Sequence, residues 1–299
     1  MAIYSFIIPE IEVSGVNLET SYWTVSFPMT ALAGFITSFS KGSDPLPIDS
    51  WKAAVLLHDY ETYPGQSKNP NAMCVGNGSA PAVEKILNTP IVQEVKGQVR
   101  FSLYLQLELD EYTALDRNKL KSGFLYKHFA GGNITSFGNK DKTFESIDEG
   151  DLIDRLKLLA PGWWIKDRSD LLEGKQGPEK MDAFFDALGL TKTLETVMVK
   201  GKETEKTKIT KEAHGWLFGT CTGYQLLEPP CKREGRRTKP EEDTPHSFAE
   251  PVHGLAELVF SRSLLRSVGA DVSAFRNSRC LWHWKTISES RATVLSAFS

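Results

Sequence analysis

The stretch "VRFSLYLQLEL" (residues 99–109) alternates apolar and polar side chains along its whole length. Alternation with a period of two is typical of a β-strand that has one face in the core and the other in water. The pattern places Arg100 and Tyr104 together on the solvent face. We therefore expect this strand to lie in an antiparallel sheet with its polar face open.

The residues before this strand predict two more strands and a helix. An apolar, β-branched run at 3–13 is interrupted by Pro9, which indicates a strand that is kinked or lies at a sheet edge. Residues 26–39 predict a helix capped by Thr30. Small residues in this helix suit close packing on the sheet or backbone amides open to a ligand. The run at 53–60 predicts a buried strand.

The second half of the chain mixes predicted helices and strands. We expect helices at 148–160, 178–188 and 250–268, a strand within "PGWWIKDR" (161–168), a strand pair at 214–230 and a last strand at 280–287. The lysine-rich segment 192–211 also holds glutamates, so an exposed hairpin or loop is favoured over a nucleic-acid arm.

This order of elements favours an α+β fold over a doubly wound parallel sheet. Our first choice is a ferredoxin-like or RRM-type antiparallel core with an inserted helical or thumb-like lobe. The predicted organisation is a first part of the core at 1–145, an inserted helical and lysine-rich lobe at 146–212, and the remainder of the core at 213–299 with a basic loop at 231–239.

Charge indicates where a polyanion would bind. The 299 residues carry a net charge of −3, so any attraction to nucleic acid must come from a local patch. The strongest local positive charge comes from five side chains in one short stretch, Lys232, Arg233, Arg236, Arg237 and Lys239. Acidic residues follow at 241–243, so a self-neutralising solvated loop is an equal alternative.

Two further groups of residues are candidates for RNA contacts. Gly131 and Gly132 predict a sharp turn or a close backbone approach, as phosphate binding by backbone amides requires. Arg262 and Arg266 lie one helical turn apart on an exposed side of the helix predicted at 250–268. Together with Arg100, these residues complete the predicted RNA-binding set.

Enzymatic motifs are missing from the sequence. It has no P-loop, G-x-G-x-x-G, H-E-x-x-H or G-x-S-x-G motif, and no two of its six histidines are spaced as metal ligands on one helix. We therefore expect no catalysis, metal or cofactor. A metal-independent ribonuclease using His128 or His214 stays a minor alternative. The four cysteines are expected to be reduced thiols of a cytoplasmic protein, with no signal peptide or membrane partner.

Seven stretches in collinear order carry a family resemblance. They are "WTVSFPMTALAGFITSF" (23–39), "APAVEKILNTPIVQEVKGQVRFSLYLQL" (80–107), "AGGNI" (130–134), "LLAPGWWIKDRSDLL" (158–172), "GWLFGTCTGYQLLEPP" (215–230), "HGLAELVFSRSLLRSV" (253–268) and "LWHW" (281–284). Taken together, they resemble the Csy-type second subunit of the type I-F CRISPR surveillance complex (Cascade), one of the RAMP group of Cas proteins. Residues 174–212 depart from the family pattern.

The resemblance implies an RRM-like core and a non-catalytic role in antiviral defence. It implies a subunit that caps the 5′ handle of the guide RNA, contacts other Cascade subunits and lies near the site where the protospacer-adjacent motif (PAM) of target DNA is read. We expect the basic patch to contact RNA or target DNA. The alternatives are a filament-forming backbone subunit along the spacer and the ribonuclease.

Overall fold

The computed structural model describes most of the chain. The described residues are 2–21, 24–41, 45–63, 73–74, 91–92, 95–109, 115–138, 144–199, 202–211, 216–231, 247–287 and 291–297. Within these ranges, no helix is both long enough and apolar enough to cross a membrane.

Strands dominate the structure. They are β1 (Ala2–Ser21), β2 (Thr24–Ser26), β3 (Ile48–Thr62), β4 (Met73–Cys74), β5 (Ile91–Val92), β6 (Val95–Leu109), β7 (His128–Phe129), β8 (Gly132–Ser136), β9 (Trp163–Asp167), β10 (Leu190–Val199), β11 (Lys202–Lys211), β12 (Leu217–Leu226), β13 (Ala249–Phe260), β14 (His283–Ile287) and β15 (Ala292–Ser296). The helices are α1 (Met29–Thr37), α2 (Arg117–Tyr126), α3 (Leu152–Lys157), α4 (Gly177–Leu188), α5 (Ser261–Val268) and α6 (Val272–Arg276). This mixture confirms the predicted α+β class.

Eleven strands form one sheet in which neighbouring strands pair antiparallel. Its order is β14-β15-β12-β13-β9-β3-β6-β1-β8-β7, and β2 pairs with β1. The stretch 99–109 lies in β6, between β3 and β1, which confirms the predicted strand in an antiparallel sheet. The lysine-rich segment forms the separate β10-β11 hairpin. The predicted division of the chain into three segments stays a prediction. Strand β9, which belongs to the lobe predicted at 146–212, pairs within the large sheet.

One part of the sheet closes on itself. Trp282, directly before β14, pairs with Ala53 in β3 through two backbone hydrogen bonds of 2.7 and 2.8 Å. Because β14 connects back to β3 through β15, β12, β13 and β9, these pairings make a closed path of six strands. The buried Asp167 carboxylate in β9 accepts from the backbone N–H of Ala297, so the last described residues are fastened to the same ring.

The main core covers the first face of the sheet. Helices α1 and α2 pack there against apolar side chains of β1, β3 and β6. Phe27 meets Phe101 edge-on with ring centroids 5.0 Å apart, and Phe35 meets Phe124 at the same separation. Met29 is fully buried in this core. Close packing on the sheet, one of the two roles predicted for the start of α1, is thus observed.

The second face of the sheet is also covered, which corrects the prediction of a solvent-exposed face on β6. Tyr104 is fully buried, and its ring lies 6.0 Å from that of Phe275 in α6. Trp164 in β9 is 5.5 Å from the same phenylalanine ring. In the middle of β6 the side chains on both faces are therefore buried, because α3, α5 and α6 pack over the face that looks polar in the sequence. Arg100 remains partly exposed near one end.

Other local predictions are corrected by strand pairing. Residues 249–260 form β13 rather than the first half of a helix, and 217–226 form one strand rather than a pair. Leu255 and Ala256 are both fully buried in β13, because the strand lies inside the sheet with both faces covered. When neighbouring residues of a strand are both buried, its sequence no longer alternates between apolar and polar residues. The apolar pattern of β13 then fits the period of a helix equally well.

Two predictions about the first elements have different outcomes. β1 is kinked beside Pro9, where Glu10 adopts a φ of 49° and the pairing register with β6 shifts between Ile8 and Ile11. It is no edge strand, since β6 and β8 lie on its two sides. Thr30 is inside α1 and does not cap it. The N-cap residue is Pro28, without a side-chain hydrogen bond.

Candidate nucleic-acid interface

The predicted basic loop lies between β12 and β13 in the sequence. Lys232, Arg233, Arg236, Arg237 and Lys239 lie outside the described residues. The hairpin itself is described up to the backbone hydrogen bond from Leu227 N–H to the Phe248 carbonyl, 2.9 Å long. Tyr224, Leu227 and Phe248 expose about half of their surfaces at this end of the hairpin. Sequence reasoning noted the charge and missed the aromatic side chains beside it.

The glycine pair forms the turn between β7 and β8, as predicted. Gly131 has a φ of 78°, a left-handed conformation that favours glycine. A Cβ on Gly132 would lie 2.7 Å from the Ser14 carbonyl oxygen and 2.7 Å from the Val16 nitrogen. The Ala130 carbonyl also accepts from the backbone N–H of Asn17. Packing of the turn against β1 therefore explains both glycines without a ligand.

Replacing Gly132 with alanine tests this explanation. We expect Gly132→Ala to lower the free energy of unfolding by about 2 kcal/mol, because its methyl group meets rigid backbone atoms of β1. Gly34→Ala is the matched control. That glycine is exposed in α1 with open space around it, and alanine should stabilise the helix by about 0.5–1 kcal/mol. Urea unfolding measures both. A Gly132→Ala variant as stable as the parent would contradict the packing explanation.

Arg100 has an acidic partner in the structure. Its Nη1 lies 3.5 Å from Oε1 of Glu10, and both side chains are about 40% exposed. A surface pair of this kind contributes little to stability. It does, however, offset the charge that Arg100 would present to a phosphate. The predicted RNA contact at Arg100 stays a prediction.

His58 links this region to the loop before β9. Its Nδ1 lies 3.0 Å from the Pro161 carbonyl oxygen, which can only accept, so Nδ1 carries the proton. Its Nε2 accepts from the Ser102 hydroxyl at 2.7 Å, and that hydroxyl accepts from the Glu10 N–H. Burial chiefly lowers the pKa of His58, and the charge of Arg100 lowers it further. His58 is therefore a neutral structural group.

The two arginines of α5 lie as predicted on its exposed side. Arg262 and Arg266 point away from the buried Leu264, Leu265 and Val268. α5 is shorter than the predicted helix because the chain before Ser261 is β13. The arginines lie on α5, which packs over the second face of the sheet, whereas the glycine turn joins β7 and β8 at one edge of the sheet itself. The structure therefore does not combine them into one site.

A buried carboxyl group near β12 was missed by sequence reasoning. Glu19 in β1 accepts from the backbone N–H of Cys221 and from the Thr220 hydroxyl at 3.2 Å. Burial raises the pKa of Glu19 from 4.5 to about 7, partly offset by these hydrogen bonds. Burial, followed by the charge of Glu19, also raises the pKa of Cys221 to about 11, so this cysteine is an unreactive thiol at neutral pH.

Catalytic and metal-binding candidates gain no support in the described part of the chain. Nowhere in it do three His, Cys, Asp or Glu side chains converge to hold a metal ion. His128 is exposed beside the glycine turn, and His214 lies outside the described residues. The predictions of no metal, no cofactor and no catalysis stay predictions.

Comparison with protein-family models identifies a family for this chain. Residues 6–292 match the family model described as CRISPR-associated protein (Cas_Csy2). A search of curated protein sequences gave no match. The family match spans almost the whole chain, including the large sheet, both helix layers and the β10-β11 hairpin.

Proposed function

Because this chain belongs to the Cas_Csy2 family of CRISPR-associated proteins, we propose that it is a non-catalytic, RNA-binding subunit of a type I-F Cascade. In this role it caps the 5′ handle of the guide RNA and helps recruit target DNA near the PAM, in the cytoplasm. Family membership makes the chain a subunit of a CRISPR effector complex. The match over residues 6–292 is the observation that carries the proposal.

The end of the β12-β13 hairpin supports the RNA-binding part of the proposal. Tyr224 and Phe248 are exposed there, and the five basic residues lie between β12 and β13 in the sequence. Single-stranded RNA is bound by aromatic faces on which bases stack and by cations that offset its phosphates. Both kinds of group occur in this part of the sequence, so we place the handle contacts there. Target DNA would meet the same basic loop.

We also infer a ferredoxin-like, RRM-type core. The strand order β8-β1-β6-β3 supports it, with α1 between β1 and β3 along the chain and α2 between β6 and β8. Both helices pack on the same face of these four strands. This is a βαββαβ arrangement with the first and third strands in the centre. The strands from β9 onward would then extend the core on the β3 side.

Native mass spectrometry tests the proposed role. The chain would be co-expressed with its neighbouring genes and a guide RNA, and the intact complex would be weighed. We expect one copy of this chain per guide RNA, whatever the spacer length, because an RNA has one 5′ end. Copy number that grows with spacer length would instead identify a filament subunit. A complex without RNA, or RNA cleavage by the isolated chain, would contradict the non-catalytic cap.

A further inference from the structure

A cavity opens on the second face of the sheet. Its volume is about 510 Å³, within the range of small-ligand sites. Its walls come from β1, β3, β6 and β14, from the end of α6 with the segment that follows it, and from the residue after β15. The lining residues are Ile3, Lys52, Gln106, Arg276, Asn277, Arg279, Leu281, His283 and Ala297.

The lining of this cavity is positively charged. Lys52, Arg276 and Arg279 carry the charge, His283 adds an imidazole, and none of the described lining residues is acidic. Within the described part of the chain, Lys52 has no carboxylate partner and is exposed. Burial, and then the charges of Lys52 and Lys285, lower the pKa of His283, and Asp167 opposes this shift. The lining therefore offers an anion cationic groups and, among its described residues, no acidic one.

Two carboxylates outside the lining hold the two arginines in place and offset part of their charge, so Lys52 is the main cation for an anion. Arg276 pairs with Glu149, and Arg279 Nη1 lies 2.8 Å from Oδ2 of Asp170. Burial would raise the pKa of Asp170, but hydrogen bonds from Arg168 and Arg279 lower it, so this carboxylate is ionised. Positioned guanidinium groups lose little freedom when an anion binds.

One arginine donor has no acceptor within the described residues. The Nε atom of Arg276 is buried and makes no hydrogen bond, although its Nη1 donates to Glu149. A donor that water cannot reach does not face the open cavity, so Arg276 offers an anion its terminal Nη groups rather than Nε.

The remaining lining suits the rest of a nucleotide. Gln106 and Asn277 offer amide donors and acceptors, which can pair with base edges or ribose hydroxyls. Ile3 is 57% exposed and gives one wall an apolar surface. The cations match the phosphate of a nucleotide, the amides match the polar edge of its base, and the apolar wall matches the flat face of the base. A bare phosphate would use only the first of these.

We propose that this cavity binds one unpaired nucleotide of single-stranded RNA, with its phosphate on Lys52, Arg276 and Arg279. The inference rests on the proposed function, since it gives the guide RNA a second contact on this chain. It involves residues that are far from the basic loop in sequence. The guide would then be held by both the hairpin end and the cavity.

The test compares guide-RNA binding by reconstituted complexes that carry Lys52→Gln or Lys41→Gln. Lys41 is exposed after α1, which packs on the other face, so its variant is matched in charge and length. We expect Lys52→Gln to weaken binding about tenfold at low salt and to reduce the slope of log K against log salt by about 1. Lys41→Gln should change neither. Equal binding by the two variants would overturn the inference.

Two further arms separate the possible sources of the phosphate. Hydrogen exchange of the segment 276–283 is measured in the complex with guide RNA, and in the isolated chain with adenosine monophosphate or inorganic phosphate. Protection by guide RNA supports the proposal. Protection by the free compounds alone would identify a small-nucleotide or anion site and overturn it. If the parent complex holds RNA while Lys52→Gln changes nothing, the cavity fails and the proposed function stands.

Discussion

We expect Trp282→Ala to lower the free energy of unfolding by about 4 kcal/mol, the largest effect predicted for this protein. The Trp282 side chain is fully buried in the main core, and its Nε1 donates to the Ile165 carbonyl at 2.8 Å. The substitution leaves a cavity of indole size and an unpaired carbonyl group. Truncations of buried tryptophan or phenylalanine cost about 3–5 kcal/mol. The change also weakens the place where β3 closes the six-strand ring.

Two variants calibrate this prediction. Trp282→Phe keeps one aromatic ring and loses both the N–H donor and the second ring of the indole, so we expect an intermediate loss of about 2–3 kcal/mol. Trp216→Ala is the matched control, because Trp216 is 61% exposed and its truncation should cost under about 1 kcal/mol. Urea unfolding followed by tryptophan fluorescence or circular dichroism gives all three values. Equal losses for Trp282→Ala and Trp216→Ala would show that the closed ring of six strands does not depend on the buried indole of Trp282.

The second large effect concerns pH. The pKa of Glu19 is about 7 in the folded protein and 4.5 for the free group, so between these values the folded chain holds a proton that the unfolded chain releases. Stability from this group therefore falls as pH rises from 4.5 to 7. A difference of this size corresponds to about 3 kcal/mol. Glu19→Gln removes the titration and keeps an amide oxygen to accept from Cys221.

We expect Glu19→Gln to exceed the parent in stability at pH 8 by up to about 3 kcal/mol, and to match it within about 1 kcal/mol at pH 5. Urea unfolding at the two pH values measures the difference. Glu61→Gln, in the exposed end of β3, should leave the pH dependence of the parent unchanged. A Glu19→Gln variant with the same pH dependence as the parent would contradict the prediction.

Predictions from sequence succeeded where one local pattern decides the structure. The alternation at 99–109, the kink at Pro9, the glycine turn and the hairpin in 192–211 all depend on neighbouring residues, and all are found. They failed where distant elements decide. Tyr104 is buried by α6, which lies about 170 residues further along the chain, and no local pattern at β6 announces it.

The two candidate binding regions show the same difference between local and distant signals. A basic run such as 232–239 is visible in sequence because its five positive charges lie within eight residues. The lining of the cavity combines Lys52, Gln106 and Arg276, which the sheet brings together from three distant segments. Their spacing matches no motif. Strand order had to be known before these residues could be considered as one group.

The closed ring of strands constrains when the protein can finish folding during synthesis. β3 leaves the ribosome early, yet its partner Trp282 is made near the end of the chain. Contacts between residues so far apart in sequence form slowly. Until residue 282 is made, the backbone N–H and carbonyl of Ala53 lack the Trp282 groups with which they form hydrogen bonds in the folded protein. We expect a nascent chain stalled before residue 282 to expose this part of β3 to chaperones.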